Sequence, residues 1–229
     1  MPTPKPKPRK QIVHLGNVGE DAGYRSKKLA EKHPSFQFHG IDLKDLRDNE
    51  FLHPSAKEEA EKNPYLSELR ENRLKQEKPA NLNQIRADFI EGLNSFPDNY
   101  LNLVTSDFSI GFYKEEKDIN LLKETITRAG EVGNRVYSGS EEYTKRILDL
   151  IYKKLKPKGK VITYYFKRID NAGDHFSENL LFAFKNSKFK YKIEKVSISE
   201  ISEELRTFYL LHFGLDKDYS IHRIIAIKE

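Results

Sequence analysis

Cysteine is absent from this chain, which removes disulfides, thiolate metal sites and cysteine nucleophiles together. That absence is compatible with a reducing, cytoplasmic setting. Tryptophan is absent as well. No apolar run approaches the ~20 residues needed to cross a bilayer, and no apolar signal core opens the chain. A soluble protein with no membrane segment is therefore expected. No internal repeat is visible. A chain of 229 residues is long enough for one domain that buries a sizeable core, so no structural metal is needed.

What the chain does have is charge. Lys and Arg number 40 against 35 Asp and Glu, a net +5 that permits an anionic partner without demanding one. The placement is uneven. Met1 to Lys10 alternates proline with basic residues (Pro4-Lys5-Pro6-Lys7-Pro8-Arg9-Lys10), a composition that cannot pack a core and predicts an extended arm. Such an arm is either a solubilising leader or a contact to nucleic-acid phosphates through counterion release.

From Gln11 onward the pattern alternates. Ile12-Val13-His14-Leu15 is a short apolar strand broken at Gly16. Tyr24 to Lys32 reads as a helix ended by His33-Pro34, and Phe36 to Ile41 as the next strand, closed by Asp42. Lys44 to Leu82 is strongly charged, with a helix expected over Ser55–Leu74. Its narrow stripe of Tyr65, Leu66, Leu69 and Leu74 fits either a lid or a solvated helix. Strands are then expected at Asn83–Ala87, Tyr100–Thr105, Lys160–Phe166, Tyr191–Ile198 and His222–Ile227. Helices are expected at Glu141–Leu155 and Phe176–Phe184. The whole predicts one domain over 11–229 with a helical insertion at about 44–82.

Three stretches in this order carry a resemblance: His14-Leu15-Gly16-Asn17-Val18-Gly19 with Gly23, then Gly40-Ile41-Asp42, then Leu155-Lys156-Pro157-Lys158-Gly159-Lys160-Val161-Ile162. Together they resemble the glycine-rich first turn, the acidic end of strand two and the "LKPGG-strand" junction of the class I S-adenosylmethionine-dependent methyltransferases. Asp88-Phe89 and the run Phe96 to Val104 are similar to the family's adenine-side acid and fourth strand. The resemblance implies an α/β fold with a Rossmann-like sheet, mostly parallel with an antiparallel C-terminal strand, and helices on both faces. It implies S-adenosylmethionine as cofactor, with His14, Gly16, Asn17, Gly19, Asp42, Leu43, Asp88, Phe89 and Ser106 in its site.

The residue types suit those roles. Ligands on open α/β sheets sit beyond the carboxyl ends of strands, and Gly16, Asp42, Asp88 and Asp107 all fall at predicted strand ends. Glycines at 16 and 19 allow close backbone approach, or simply an ordinary turn. Asp42, about 26 residues beyond Gly16, can accept both ribose hydroxyls or cap the segment from Leu43. Asp88 can accept the adenine amine, with Phe89 packing on the ring, or cap a helix starting near Ile90. Phe96 and Tyr100 can flank a cofactor or fill the core.

Methyl transfer needs alignment above all, and holding two reactants in a near-attack pose supplies ~7–11 kcal/mol. The end of the fourth strand reads Thr105-Ser106-Asp107-Phe108-Ser109-Ile110-Gly111-Phe112-Tyr113. Asp107, its only carboxylate, is the candidate acceptor contact or base, or a turn cap. Phe108, Phe112 and Tyr113 can stack on a planar acceptor. The prolines of the exocyclic-amine methyltransferases are missing here, and the absence of cysteine excludes C5-cytosine chemistry. Residues 32–42 and 142–146 faintly resemble the tRNA guanine-N7 methyltransferases, which lack their Phe-Pro-Asp-Pro-Trp signature here. With the basic arm and Arg128, Arg135, Lys145 and Arg146, they keep RNA among the acceptors, beside small molecules and proteins. Departures from the family stand at His14, where it has an acid, in the loosened glycine turn, and at Asn102. The first two motivate a second reading, a catalytically weak binding or scaffold protein. A dinucleotide oxidoreductase would want GxGxxG after strand one, which Gly16, Gly19 and Gly23 do not form.

Overall fold

The computed structural model describes residues 9–15, 24–42, 78–107, 110, 132–168, 175–201 and 219–229, with the main chain alone at 24, 25, 42, 132–140, 166, 168, 175, 176 and 219. In chain order they form β1 (Gln11–Leu15), α1 (Tyr24–Lys32), β2 (Gln37–Asp42), β3 (Leu82–Arg86), α2 (Phe89–Asn94), β4 (Leu101–Asp107), α3 (Val132–Lys154), β5 (Leu155–Arg168), α4 (His175–Lys185), β6 (Lys190–Val196) and β7 (Tyr219–Ile227). The strands make one seven-stranded sheet in the order β3-β2-β1-β4-β5-β7-β6. β1 through β5 run parallel, and β7 lies antiparallel between β5 and β6.

Both faces are covered, which is why β1 reads as a continuous apolar run rather than an alternating one. Val13, Leu15, Ile41 and Val104 face one side and pack with Phe89 and Leu93 of α2, Ile147 and Ile151 of α3, and Phe184 of α4. Ile12, Phe38 and Leu82 face the other side and pack with Ala30 of α1. Strand periodicity of two separates neighbours such as Ile12 and Val13 into different cores. β2 is clamped from both sides. A Cβ at Gly40 would lie 2.7 Å from Ser26 Oγ of α1, and one at Gly92 of α2 would lie 2.5 Å from Ile41 Cγ2. Both approaches are closer than any methyl group tolerates.

Polar groups fasten the loops at the amino ends of the strands. Asn81, within the expected insertion, donates from Nδ2 to Ala30 O (2.9 Å), a carbonyl in the last turn of α1, and to Phe36 O (3.1 Å) just before β2. Lys154, buried at the end of α3, donates to Phe96 O (2.7 Å) and Asp98 Oδ1 (2.9 Å).

Several boundaries differ from the sequence reading. β3 begins at Leu82, so that residue belongs to the sheet and not to the insertion. α3 starts at Val132, well before Glu141, and Leu155 opens β5 instead of closing the helix. Ile198 lies beyond β6 and is 37% exposed. The junction into β5 has an unusual residue: Lys158 adopts φ +62°, where the LKPGG pattern carries glycine. A side chain in this left-handed region costs ~1–2 kcal/mol. Gly159 keeps its glycine for a different reason, since a Cβ there would meet Lys156 O at 2.8 Å. Lys158 N donates to Lys228 O (2.8 Å), and Lys228 N donates to Gly159 O (3.0 Å), tying the turn to the end of β7.

Candidate functional site

Strand order reverses between β1 and β4, the topological switch point where open α/β sheets bind ligands at the carboxyl edge. Along that edge the register sets Leu15 opposite Ser106, Leu15 opposite Ile41, Asp42 opposite Arg86, and Asp107 opposite Tyr164. The ends of β3, β2, β1 and β4 thus form a continuous rim. Three strand spacings separate β3 from β4, roughly 14 Å.

His14 is fully buried, and its Nδ1 lies 2.9 Å from Thr105 Oγ1, which makes it a strut between β1 and β4. Ser106 is also fully buried and accepts a hydrogen bond from Ile110 N (3.3 Å). It therefore points to the side opposite Thr105 and fixes the turn after β4. Asp107 closes β4 on the same face as Thr105 and is 3% exposed. Asp42 closes β2 as expected, with its main chain beside Arg86. Asp88 is the N-cap of α2, and its Oδ1 accepts from Glu91 N at 2.8 Å. Capping occupies one carboxylate oxygen at the rim.

Phe89 is 0% exposed, in the core beneath α2. Phe96 and Tyr100 do not flank the rim. They precede β4, at its amino end, where they stack on each other (centroids 6.1 Å) and Phe96 meets the edge of His39 (4.9 Å). Gly16, Asn17, Gly19, Leu43, Phe108, Phe112, Tyr113, Arg128, the arm 1–8 and the helix expected at 55–74 lie outside the described residues. Arg135 falls within α3.

One arrangement beside the rim escaped the sequence reading. Tyr164, Arg223 and Glu194 sit in register across β5, β7 and β6, in line with Asp107. Glu194 Oε2 accepts from Arg223 Nη2 (2.6 Å) and Nε (3.1 Å), and Lys192 also reaches the carboxylate. The hydrogen bond from Lys192, then that from Arg223, holds the Glu194 carboxyl below its usual range. Glu194 in turn raises the Arg223 guanidinium, with a smaller contribution from the Tyr164 hydroxyl. No local signal announces such a row, because it depends on antiparallel register between distant segments.

Two histidines have their pKa values pushed down. Burial does so at His39, whose Nε2 contacts Gln11 Oε1 (2.9 Å). At His222 burial acts first, then the charges of Lys167 and Lys195. Among the described residues no cluster of three or more His, Asp or Glu could hold a metal ion, and no helix is long and apolar enough to cross a membrane.

No protein-family model matches the chain, and no curated protein matches its sequence. Solved structures do match. The [4+2]-cyclase SpnF is 14% identical, with a TM-score of 0.53, over 96% of this chain and 74% of its own. The fold is the Rossmann-like class I methyltransferase fold. A methyltransferase of Archaeoglobus fulgidus described as SAM-dependent is 17% identical, covering 97% of this chain and 87% of its own, with a TM-score of 0.48. A phosphoethanolamine N-methyltransferase of Haemonchus contortus, solved with S-adenosylhomocysteine, is 16% identical with a TM-score of 0.47. It covers 96% of this chain, which spans only 49% of that protein. Identities this low speak to the fold alone. A cyclase among the matches illustrates that the fold hosts more than one chemistry.

Proposed function

We propose that this chain is an S-adenosylmethionine-dependent methyltransferase. One observation carries the reading: at the switch point of the β3-β2-β1-β4 half-sheet, Asp42 ends β2 and Asp88 caps α2 on one rim. The donor set suits an adenosine. A carboxylate ending the second strand accepts two ribose hydroxyls, and Asp88 has a second oxygen beyond the one its cap uses. Gly16, Asn17, Gly19 and Leu43 would line the same ligand. When bound, S-adenosylmethionine supplies an electrophilic methyl group. The remaining work belongs to the chain. Asp107 holds the acceptor's polar group or takes its proton.

The acceptor class stays among RNA, small molecules and proteins. RNA is retained by the basic arm and the faint likeness of 32–42 and 142–146 to tRNA guanine-N7 methyltransferases. A second reading, a binding or scaffold protein of weak catalytic power, is favoured by His14, which stands buried against Thr105 where the family has an acid. Calorimetric titration with S-adenosylhomocysteine separates the two. The first reading expects saturable binding that Asp42→Ala weakens by about 1.5–3 kcal/mol, the range for a hydrogen bond to a charged group. No heat of binding in the folded wild-type protein favours the second.

A further inference from the structure

The opposite edge of the sheet has a character of its own. The amino ends of β1, β5 and β6 and the carboxyl end of β7 meet there, and each is flanked by cations. Arg9 and Lys10 lead into β1, Lys158 and Lys160 lie near the start of β5's span, Lys188 precedes β6 and Lys190 opens it. All six are exposed. Lys160 and Lys190 both pair with Ile227 in register, two strand spacings apart, roughly 10 Å. Acids at this edge are Glu229, 3.3 Å from Lys190, Asp98, engaged by Lys153 and Lys154, and Glu31, paired with Lys27 and Lys28.

Helix dipoles explain part of this charge. Lys32, Lys153, Lys154 and Lys185 stand in the last turns of their helices, where cations are favoured. Arg9, Lys10, Lys158, Lys160, Lys188 and Lys190 end no helix. Lys158 in addition occupies a left-handed position that glycine fills without strain, so its side chain is kept there against the local backbone preference. Partly buried rings lie among the charge. Lys10 Nζ lies 5.6 Å from the centroid of Phe36, and Lys228 Nζ lies 5.0 Å from that of Tyr152.

We infer that this amino edge is a docking surface for single-stranded nucleic acid, reading backbone phosphates with Lys158, Lys160 and Lys188 and offering aromatic rings to bases. Charge with interleaved rings is the pattern of non-specific single-strand binding. An anionic membrane is the lesser fit. The exposed large hydrophobics among the described residues are Phe182, Ile193 and Ile198, and none lies in 9–10, 156–160 or 188–190 to supply the apolar wedge of interfacial binding. The surface is separated from the carboxyl rim by the length of the strands, and the inference does not rest on the proposed cofactor site.

The test uses the full chain and a labelled 20-nucleotide single-stranded RNA, with anisotropy read across potassium chloride concentrations. Wild type should bind with a steep salt dependence. The variant Lys158→Gly/Lys160→Gln/Lys188→Gln should bind at least tenfold more weakly. The slope of log K against log salt should drop by about 2, from three single-strand phosphate contacts. Lys158→Gly alone guards against misfolding, since glycine accepts that φ freely, and should show a smaller loss in the same direction. S-adenosylhomocysteine affinity should be the same in wild type and variant. Absence of RNA binding by wild type, or an unchanged Kd and slope in the triple variant, overturns the inference. So does charge-dependent binding to phosphatidylserine/phosphatidylcholine vesicles in place of RNA, which reassigns the edge to a membrane.

Discussion

Asp88 can be asked two questions at once. Its Oδ1 caps α2 through Glu91 N, and the proposed function gives its other oxygen to a bound adenine amine. Serine caps a helix about as well as aspartate but has no carboxylate, whereas alanine does neither. α2 has only six residues, and its Phe89 and Leu93 are fully buried, so fraying of its first turn reaches the core directly. Asp88→Ala should therefore lose ~1 kcal/mol of stability, within the 0.5–2 kcal/mol known for caps. In a domain of this size that is a fall of about 2–4 °C in melting temperature. Asp88→Ser should lose only a few tenths of a kcal/mol, from the weaker interaction with the helix dipole. Both should lose cofactor affinity alike. Removing a hydrogen bond to a charged group costs about 1.5–3 kcal/mol, or roughly ten- to hundredfold in Kd. Differential scanning calorimetry and titration with S-adenosylhomocysteine give the two readings. Asp88→Ser binding within twofold of wild type would reduce Asp88 to a cap. Equal melting losses in both variants would refute the capping argument instead.

The other tests are simpler. Asp107→Asn should leave S-adenosylhomocysteine affinity within about threefold while cutting turnover far more, and equal losses in both would move Asp107 into the cofactor's own shell. Lys158→Gly trades ~1–2 kcal/mol of left-handed strain against ~0.5–1 kcal/mol of glycine entropy, so urea unfolding should show unchanged or slightly raised stability. A clear destabilisation would mean that the Lys158 side chain supports the fold. His39 and His222 have folded pKa values below the ordinary 6.5 of the unfolded chain, so the unfolded state takes up protons first. Their contribution to stability is complete above that value and is lost as pH falls below it. His39→Gln should flatten the stability profile between pH 7 and the acid side, by no more than about 1.4 kcal/mol per pH unit. An unaltered profile would assign the acid sensitivity elsewhere.

The parts of the fold that show in the sequence are those whose signal is local. α1 spans Tyr24–Lys32 as its periodicity and the His33-Pro34 stop predict, and Asp42 closes β2. The first turns of α3 do not show, because Val132 to Ser140 carries Gly133 and Gly139 and only a short apolar pairing of Val132 with Val136. Asp88 was legible as a residue but not as a role, since a cap and a ligand contact require the same side chain at the same strand end. The burial of Phe89 was not legible, because adjacency to a candidate acid says nothing about which way the ring turns once a helix begins at that residue. The Tyr164–Arg223–Glu194 row was invisible because it is created by register alone.

The position of β7 bears on how the chain is made. β6 is joined to the sheet through β7, which follows it in sequence yet sits inside it. As the chain leaves the ribosome, residues 190–196 emerge before their hydrogen-bonding partner exists, at a rate of roughly 5–20 residues per second. For that interval β6 is an unpaired strand with its neighbour still to come, exposed to pairing with any other nascent chain. Its lysines at 190, 192 and 195 are the residue type that discourages such encounters. The charges that guard the finished sheet's edge also serve the unfinished one, while β6 waits to be completed by residues 219–227.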